Sequence, residues 1–223
     1  MYARPTANGK VSTLGVSGML WRDALIMYDR STDSLWSQVS GEAVAGPMKG
    51  KKLEEIPSEL TTWGEWKRRH PDTLVLAKPA LSGSPYEDYS ADPERIGVRG
   101  SMNPDLRLPG KMLVVGIEAN GRFGAAPISE LEKHGVVNAE ALGMPLVLSV
   151  TGTFDRRSGK RVLTFEQVDA TRMRDRESGS IWTTETGEAT DGPLRGARLG
   201  RVSAKVVYWG VWARFHPRSE VIR

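Results

Sequence analysis

The chain contains three histidines and no cysteine in 223 residues. Two of them, His70 and His216, close the same string, W-G-x-W-x-R-x-H-P, at residues 63–71 and 209–217. A neutral imidazole is a good ligand for zinc or copper. With so few histidines and no thiolate, a site for a divalent transition metal has to draw on carboxylates. Glu42 and Glu188 recur in a second repeated string, G-E-A-x-x-G-P, and are the candidates. On this reading His70, His216, Glu42 and Glu188 serve a metal-dependent redox or hydrolytic enzyme. The competing role is structural. At a helix C-terminus a partly charged imidazole is stabilised by the helix dipole. Presence in both copies favours structure, because an active site needs its residues once whereas packing needs them twice.

A second chemistry resides in two glycine-basic loops, residues 46–52 (GPMKGKK) and 192–198 (GPLRGAR). Gly46, Lys49 and Gly50, with Gly192, Arg195 and Gly196, combine open backbone amides with cations, which suits an anion or a small acidic ligand. The alternative is a tight turn with solvated side chains. Neither loop has the G-x(4)-G-K-[ST] spacing of a phosphate loop, and the chain lacks G-x-S-x-G and G-x-G-x-x-G. Serine-triad, dinucleotide-binding and zinc-finger readings therefore have no support.

Net charge is +4. Residues 195–223 hold seven basic residues against Glu220 alone, interleaved with Tyr208, Trp209, Trp212 and Phe215. A basic stretch with aromatics can stack on single-stranded nucleic acid. The spacing of the tryptophans points instead to a packed helix face, so nucleic acid is the weaker expectation. No apolar run reaches the ~18 residues of a membrane span, and the first ten residues lack the apolar centre of a signal peptide. A small ligand or a protein partner remains open.

These residues are positioned by a repeat. Residues 27–76 align without a gap to residues 173–222, and 19 of 50 positions are identical. Six of the seven tryptophans fall on paired positions. Asp29 and Asp175 open a turn rich in Ser, Thr and Gly, so each is expected to bond its own turn, and a general-base role is the lesser expectation. Trp36 and Trp182 follow on a strand. Trp63, Trp66 and His70 lie at i, i+3 and i+7, as do Trp209, Trp212 and His216, which predicts a short helix ending before Pro71 or Pro217. Strands are predicted at 73–76 and 220–222. Between the copies, 112–118 and 144–151 read as strands, Asn120-Gly121 as a hairpin turn and 128–134 as a helix. The expected fold is β-rich α+β: two related units, each a small antiparallel sheet with a Trp-bearing helix. The boundaries are 1–78 for a first unit, 79–110 for a connecting segment, and 111–223 for a second, complete unit.

The strings GVSGMLWRDALIMYDRSTDSLWSQVSGEAVAGP (15–47), TTWGEWKRRHPDTLVL (61–76) and DRESGSIWTTETGEATDGPLRGARL (175–199) resemble the bacterial family known as domain of unknown function 3179. Residues 111–120 and 125–131 are similar to that family's hairpin and the segment after it. Ala126 stands where the family usually has tyrosine, and Asn138-Ala139 where it has Asn-Asp. The resemblance implies a further hairpin with a Cys-Pro-Leu-Cys-Gly-like motif before the first residue here, so the chain is expected to be a natural short form or to have had its start placed too late. Family members often look exported, which implies a periplasmic or extracellular place. The family brings no activity with it. The leading expectation is a non-catalytic binding or interaction module, with the metal enzyme as alternative.

Overall fold

The computed structural model describes residues 1–7, 9–56, 61–77, 89, 91–97 and 101–223. The regular structure is mainly small antiparallel sheets. Leu14–Trp21, Ala24–Asp29, Leu35–Ser37 and Ala43–Ala45 form a four-stranded meander in chain order. Arg22 and Asp23, with φ of 52° and 62°, make its first turn; two positive φ values twist a two-residue turn to match its strands. Phe165–Gln167, Arg172–Asp175, Ile181–Thr183 and Ala189–Asp191 form the second meander. Met27 faces Trp36 in one and Met173 faces Trp182 in the other, and each has an irregularity beside its tryptophan.

Two two-stranded ribbons and two further four-stranded sheets accompany the meanders. One runs Ser203–Tyr208, Leu113–Ala119, Arg122–Pro127, Glu220–Val221, the last pairing parallel. Its hairpin turns at Asn120-Gly121, as the sequence predicts. The other runs Gly200–Arg201, Thr153–Asp155, Met144–Leu148, Val137–Ala141. Its turn at Leu142-Gly143, with φ of 56° and 74°, carries a leucine where the rule leads one to look for asparagine. Helices span Trp63–Arg69, Ile128–His134 and Trp209–Phe215. The predicted strand at 220–222 forms, but its counterpart at 73–76 does not: those four residues are irregular. None of the described helices is long and apolar enough to cross a membrane.

Contacts gather Met1–Ser58, Pro93–Ala126 and Ser203–Val221 into one compact unit, and Glu59–Asp92, Pro127–Val202 and Ile222–Arg223 into another. Each compact unit therefore takes its Trp-bearing helix from the other sequence repeat. The first packs Trp209 and Trp212 with Leu108, Val114 and Ala125, and separately packs Trp36 with Ala43 and Leu53. The second packs Trp182 with Val147, Phe154, Phe165 and Met173. Of the segment 79–110, residues 79–88, 90 and 98–100 lie outside the described residues. Its Ile96 and Leu108 are buried.

Candidate functional site

The turn after each second meander strand is a polar knot around a fully buried aspartate. Asp29 Oδ1 accepts the amides of Ser31 and Thr32 at 3.1 and 2.8 Å, and Oδ2 accepts Thr32 Oγ1 at 2.7 Å and Trp36 Nε1 at 3.0 Å. Asp175 Oδ2 accepts Ser178 Oγ at 2.8 Å and Trp182 Nε1 at 2.7 Å. Burial by itself would raise Asp29. The hydrogen bonds from Trp36 and Thr32, then from the Thr32 and Ser31 amides, outweigh it and hold the carboxyl below the usual range. A carboxylate with its lone pairs so occupied is a poor general base, and both aspartates bond groups of their own turns.

The glycine-basic loops are tied to the same knots. Ser34 Oγ accepts the Met48 amide at 3.0 Å, and Ser180 Oγ accepts the Leu194 amide at 2.9 Å. The amides of Lys49, Gly50 and Lys51 donate to Gly46, Ala43 and Met48 carbonyls, and those of Arg195, Gly196 and Ala197 do the same in the second loop. The amides of Met48 to Lys51 and of Leu194 to Ala197 thus already have partners, so an anion there would rely mainly on side-chain cations such as Lys49 and Arg195. Gly46 and Gly192 need to be glycine on two grounds. Their φ values are +89° and +86°, and a Cβ would lie 2.7 Å from the Ser34 or Ser180 Cα.

The histidines close their helices alike. The amides of His70 and His216 donate to the Trp66 and Trp212 carbonyls at 2.8 Å, and the two indoles donate to Thr73 Oγ1 and Ser219 Oγ at 2.9 and 2.8 Å. His216 stacks on Phe123 at 3.8 Å and lies 4.3 Å from the Trp212 ring. The helix dipole favours a charged ring there, but burial, with smaller effects of Lys205 and Lys52 against Glu118, lowers His216 to about 4. Desolvation wins over the dipole, and the ring is neutral at pH 7. His70 is exposed, 4.1 Å from the Trp66 ring.

Glu42 and Glu188 sit in matching bridges opposite Lys52 and Arg198. Glu188 Oε2 accepts from Arg198 at 2.7 Å, while Lys52 turns to Glu118 at 3.0 Å. His216 and Glu42 belong to one compact unit and His70 and Glu188 to the other. Among the described residues no three His, Asp or Glu side chains are grouped as a metal site requires. Trp209 and Trp212 are buried, so neither offers a face to a base.

One polar cluster lies outside the sequence reading. Lys205 Nζ donates to Val39 O at 3.0 Å and Tyr2 OH at 3.1 Å, and pairs with Glu55 at 3.4 Å; Ser203 Oγ donates to Glu55 Oε2 at 2.6 Å. Burial first, then Glu55, pushes the Tyr2 phenol up, so it remains a donor at neutral pH. The members stand far apart in sequence, and only a lone lysine within an apolar strand hints at them.

Asp–Trp knots and Trp–His helices recur in residues 27–76 and 173–222, and residues 1–219 match the family described as protein of unknown function (DUF3179). The chain belongs to the DUF3179 family. No curated protein and no solved structure matches it. For this DUF3179 member, then, function has to be argued from its own surfaces.

Proposed function

We propose that this DUF3179 protein is a non-catalytic, extracytoplasmic binding or interaction module, built from two copies of one meander-and-helix unit. The observation that carries the reading is the strand Leu14–Trp21. It lies at the edge of its sheet, and Val16, Met19, Leu20 and Trp21 are all exposed on it. The edge is irregular between Val16 and Leu20, and its Met19 amide and Leu14 carbonyl bond Ser17 Oγ and Arg30, but a run of exposed apolar side chains on an edge strand still suits docking of another polypeptide. Trp21 is also the one tryptophan outside the repeat, so packing in both copies does not call for it. The resemblance of the chain to a family whose members look exported supports the extracytoplasmic part.

Further support comes from the residues best suited to chemistry, which hold turns and helix ends together. The test is elemental analysis of the full chain purified without chelator, beside His70→Ala and His216→Ala variants. The expected result is no stoichiometric metal in any of the three, with His216→Ala less stable. Stoichiometric metal that both substitutions remove without unfolding the chain would replace this reading with the metal enzyme.

A further inference from the structure

The hairpin of Leu113–Ala119 and Arg122–Pro127 turns through two residues, Asn120 and Gly121, both exposed. Their φ values are 52° and 68°, and nothing lies within 4 Å of the place a Gly121 Cβ would take. Asn-Gly suits such a type I′ turn because both residues tolerate positive φ. The same pair is well placed to react with itself once the chain is open. The Gly121 amide nitrogen, unshielded by a side chain, then attacks Asn120 Cγ. The new N–C bond closes a succinimide, and ammonia leaves with the amide proton. Water opens the ring to aspartate or, with the main chain running through Cβ, to isoaspartate.

The folded turn withholds that reaction. Type I′ sets ψ of its first central residue at about +30°. At that angle Asn120 Cβ and the Gly121 nitrogen lie on nearly opposite sides of the Cα–C bond, and Cγ cannot reach the nitrogen. Ring closure needs the two on the same side, a rotation of well over a right angle that the paired strands forbid. Those strands are held on both edges. Ser203–Tyr208 pairs with every residue from Leu113 to Glu118, and Glu220 and Val221 pair with Gly124 and Ala125. Side chains beside the turn are held as well. Glu118 pairs with Lys52 and Arg122 with Glu220, each at 3.0 Å, and Phe123 stacks on His216 at 3.8 Å.

We propose that Asn120 is a modification site gated by this hairpin: it converts to isoaspartate only when the hairpin opens, and the conversion keeps the hairpin from closing again. Isoaspartate adds a main-chain carbon to a turn that has only two residues to join its strands. Glu118, Arg122 and Phe123, nearest the turn, lose their partners first. A reversible local opening is thereby made permanent. The site is separate from the strand Leu14–Trp21 and holds whatever that strand binds.

The test follows the tryptic peptide 112–122, MLVVGIEANGR, by mass spectrometry in mildly alkaline buffer, with isoaspartate methyltransferase as second readout. The full chain carries Asn8→Gln, because Asn8-Gly9 is its other Asn-Gly pair. Deamidation in urea should match that of a free peptide of residues 111–127, and should be at least about tenfold slower in the folded chain. Equal rates in folded and unfolded chain overturn the gate, and no isoaspartate in urea overturns the site. The isoaspartate fraction of chain aged in urea is then isolated, refolded and compared with recombinant Asn120→Asp. It should fail to regain the parent melting curve, whereas Asn120→Asp, with its main chain unaltered, should stay close to the parent. An isoaspartate chain that melts like the parent overturns the block on closing. Metal content enters neither comparison, so this proposal and the interaction-module reading fail separately.

Discussion

Replacing Asp29 by alanine removes the acceptor of four close hydrogen bonds, and the outcome depends on which donors can find water. Ser31 is exposed and Thr32 half-buried, so their amides have solvent within reach. The Trp36 indole does not: it is 1% exposed and its N–H has Asp29 Oδ2 as partner at 3.0 Å. Stranding a buried donor costs about 1–3 kcal/mol, and a hydrogen bond to a charged group contributes about 1.5–3 kcal/mol. Allowing for partial rescue by water, Asp29→Ala should lose roughly 3–5 kcal/mol, a fall of about 1–2 M in urea midpoint at a typical slope. Trp36→Phe removes the donor with the ring largely kept, and should lose about 1.5–3 kcal/mol. In the double variant the losses should fall short of additive by about 1–2 kcal/mol, since each substitution removes the same bond. The pH dependence adds a sign. A carboxyl held below its usual range contributes stability in full above its unfolded value of about 3.9, and loses it as pH falls through the folded value. Asp29→Asn should therefore be weaker at pH 7 and converge on the parent in strong acid. Additive single variants, or an Asp29→Ala loss under 1 kcal/mol, would refute the knot as the core of the turn.

Other expectations follow from particular contacts. His216, lowered to about 4 against an unfolded value near 6.5, is neutral when folded and gains a proton on unfolding between those values. Stability should therefore decline as pH falls from about 6.5 toward 4, and His216→Gln should flatten that slope; the ring's NMR titration midpoint near 4 is the direct check. Gly192→Ala should lose about 2–4 kcal/mol in thermal or urea unfolding, because φ and the Ser180 backbone both oppose a Cβ. Gly196→Ala, with φ of +87° and nothing within 4 Å, should lose only about 1–2 kcal/mol. Phosphate at millimolar concentration should not raise the melting temperature, given that the loop amides already have partners; a rise abolished by Lys49→Ala or Arg195→Ala would restore the anion site.

The knots, the helices and the Asn120-Gly121 hairpin were legible because each is specified within a few neighbouring residues. An Asp followed by Ser, Thr or Gly and then Trp forms its turn bonds within seven positions, and i, i+3, i+7 spacing gives a helix one face. The pairing of Glu42 with Lys52 and of Glu188 with Arg198 follows from the same local register. The strand expected at 73–76 does not form, for the opposite reason. Its sequence, Thr-Leu-Val-Leu, is a better strand by composition than Ser-Glu-Val-Ile, yet among the described residues only the latter pairs with an edge. A strand's existence depends on hydrogen bonds to another segment, and no local preference supplies them.

The state of His216 belongs to the same class. Sequence places it at a helix end, where the dipole favours charge, and only the packing of Phe123 and Trp212 around the ring makes desolvation the larger effect. The cluster of Tyr2, Glu55 and Lys205 brings together residues from both ends of the chain, with no motif at any of the three. Local spacing determined the repeated unit, its turns and the residues that close them. Tertiary structure decided which helix joins which compact unit, which histidine is half-buried and which final segment is left exposed, because those depend on long-range burial and pairing that no short window of sequence contains.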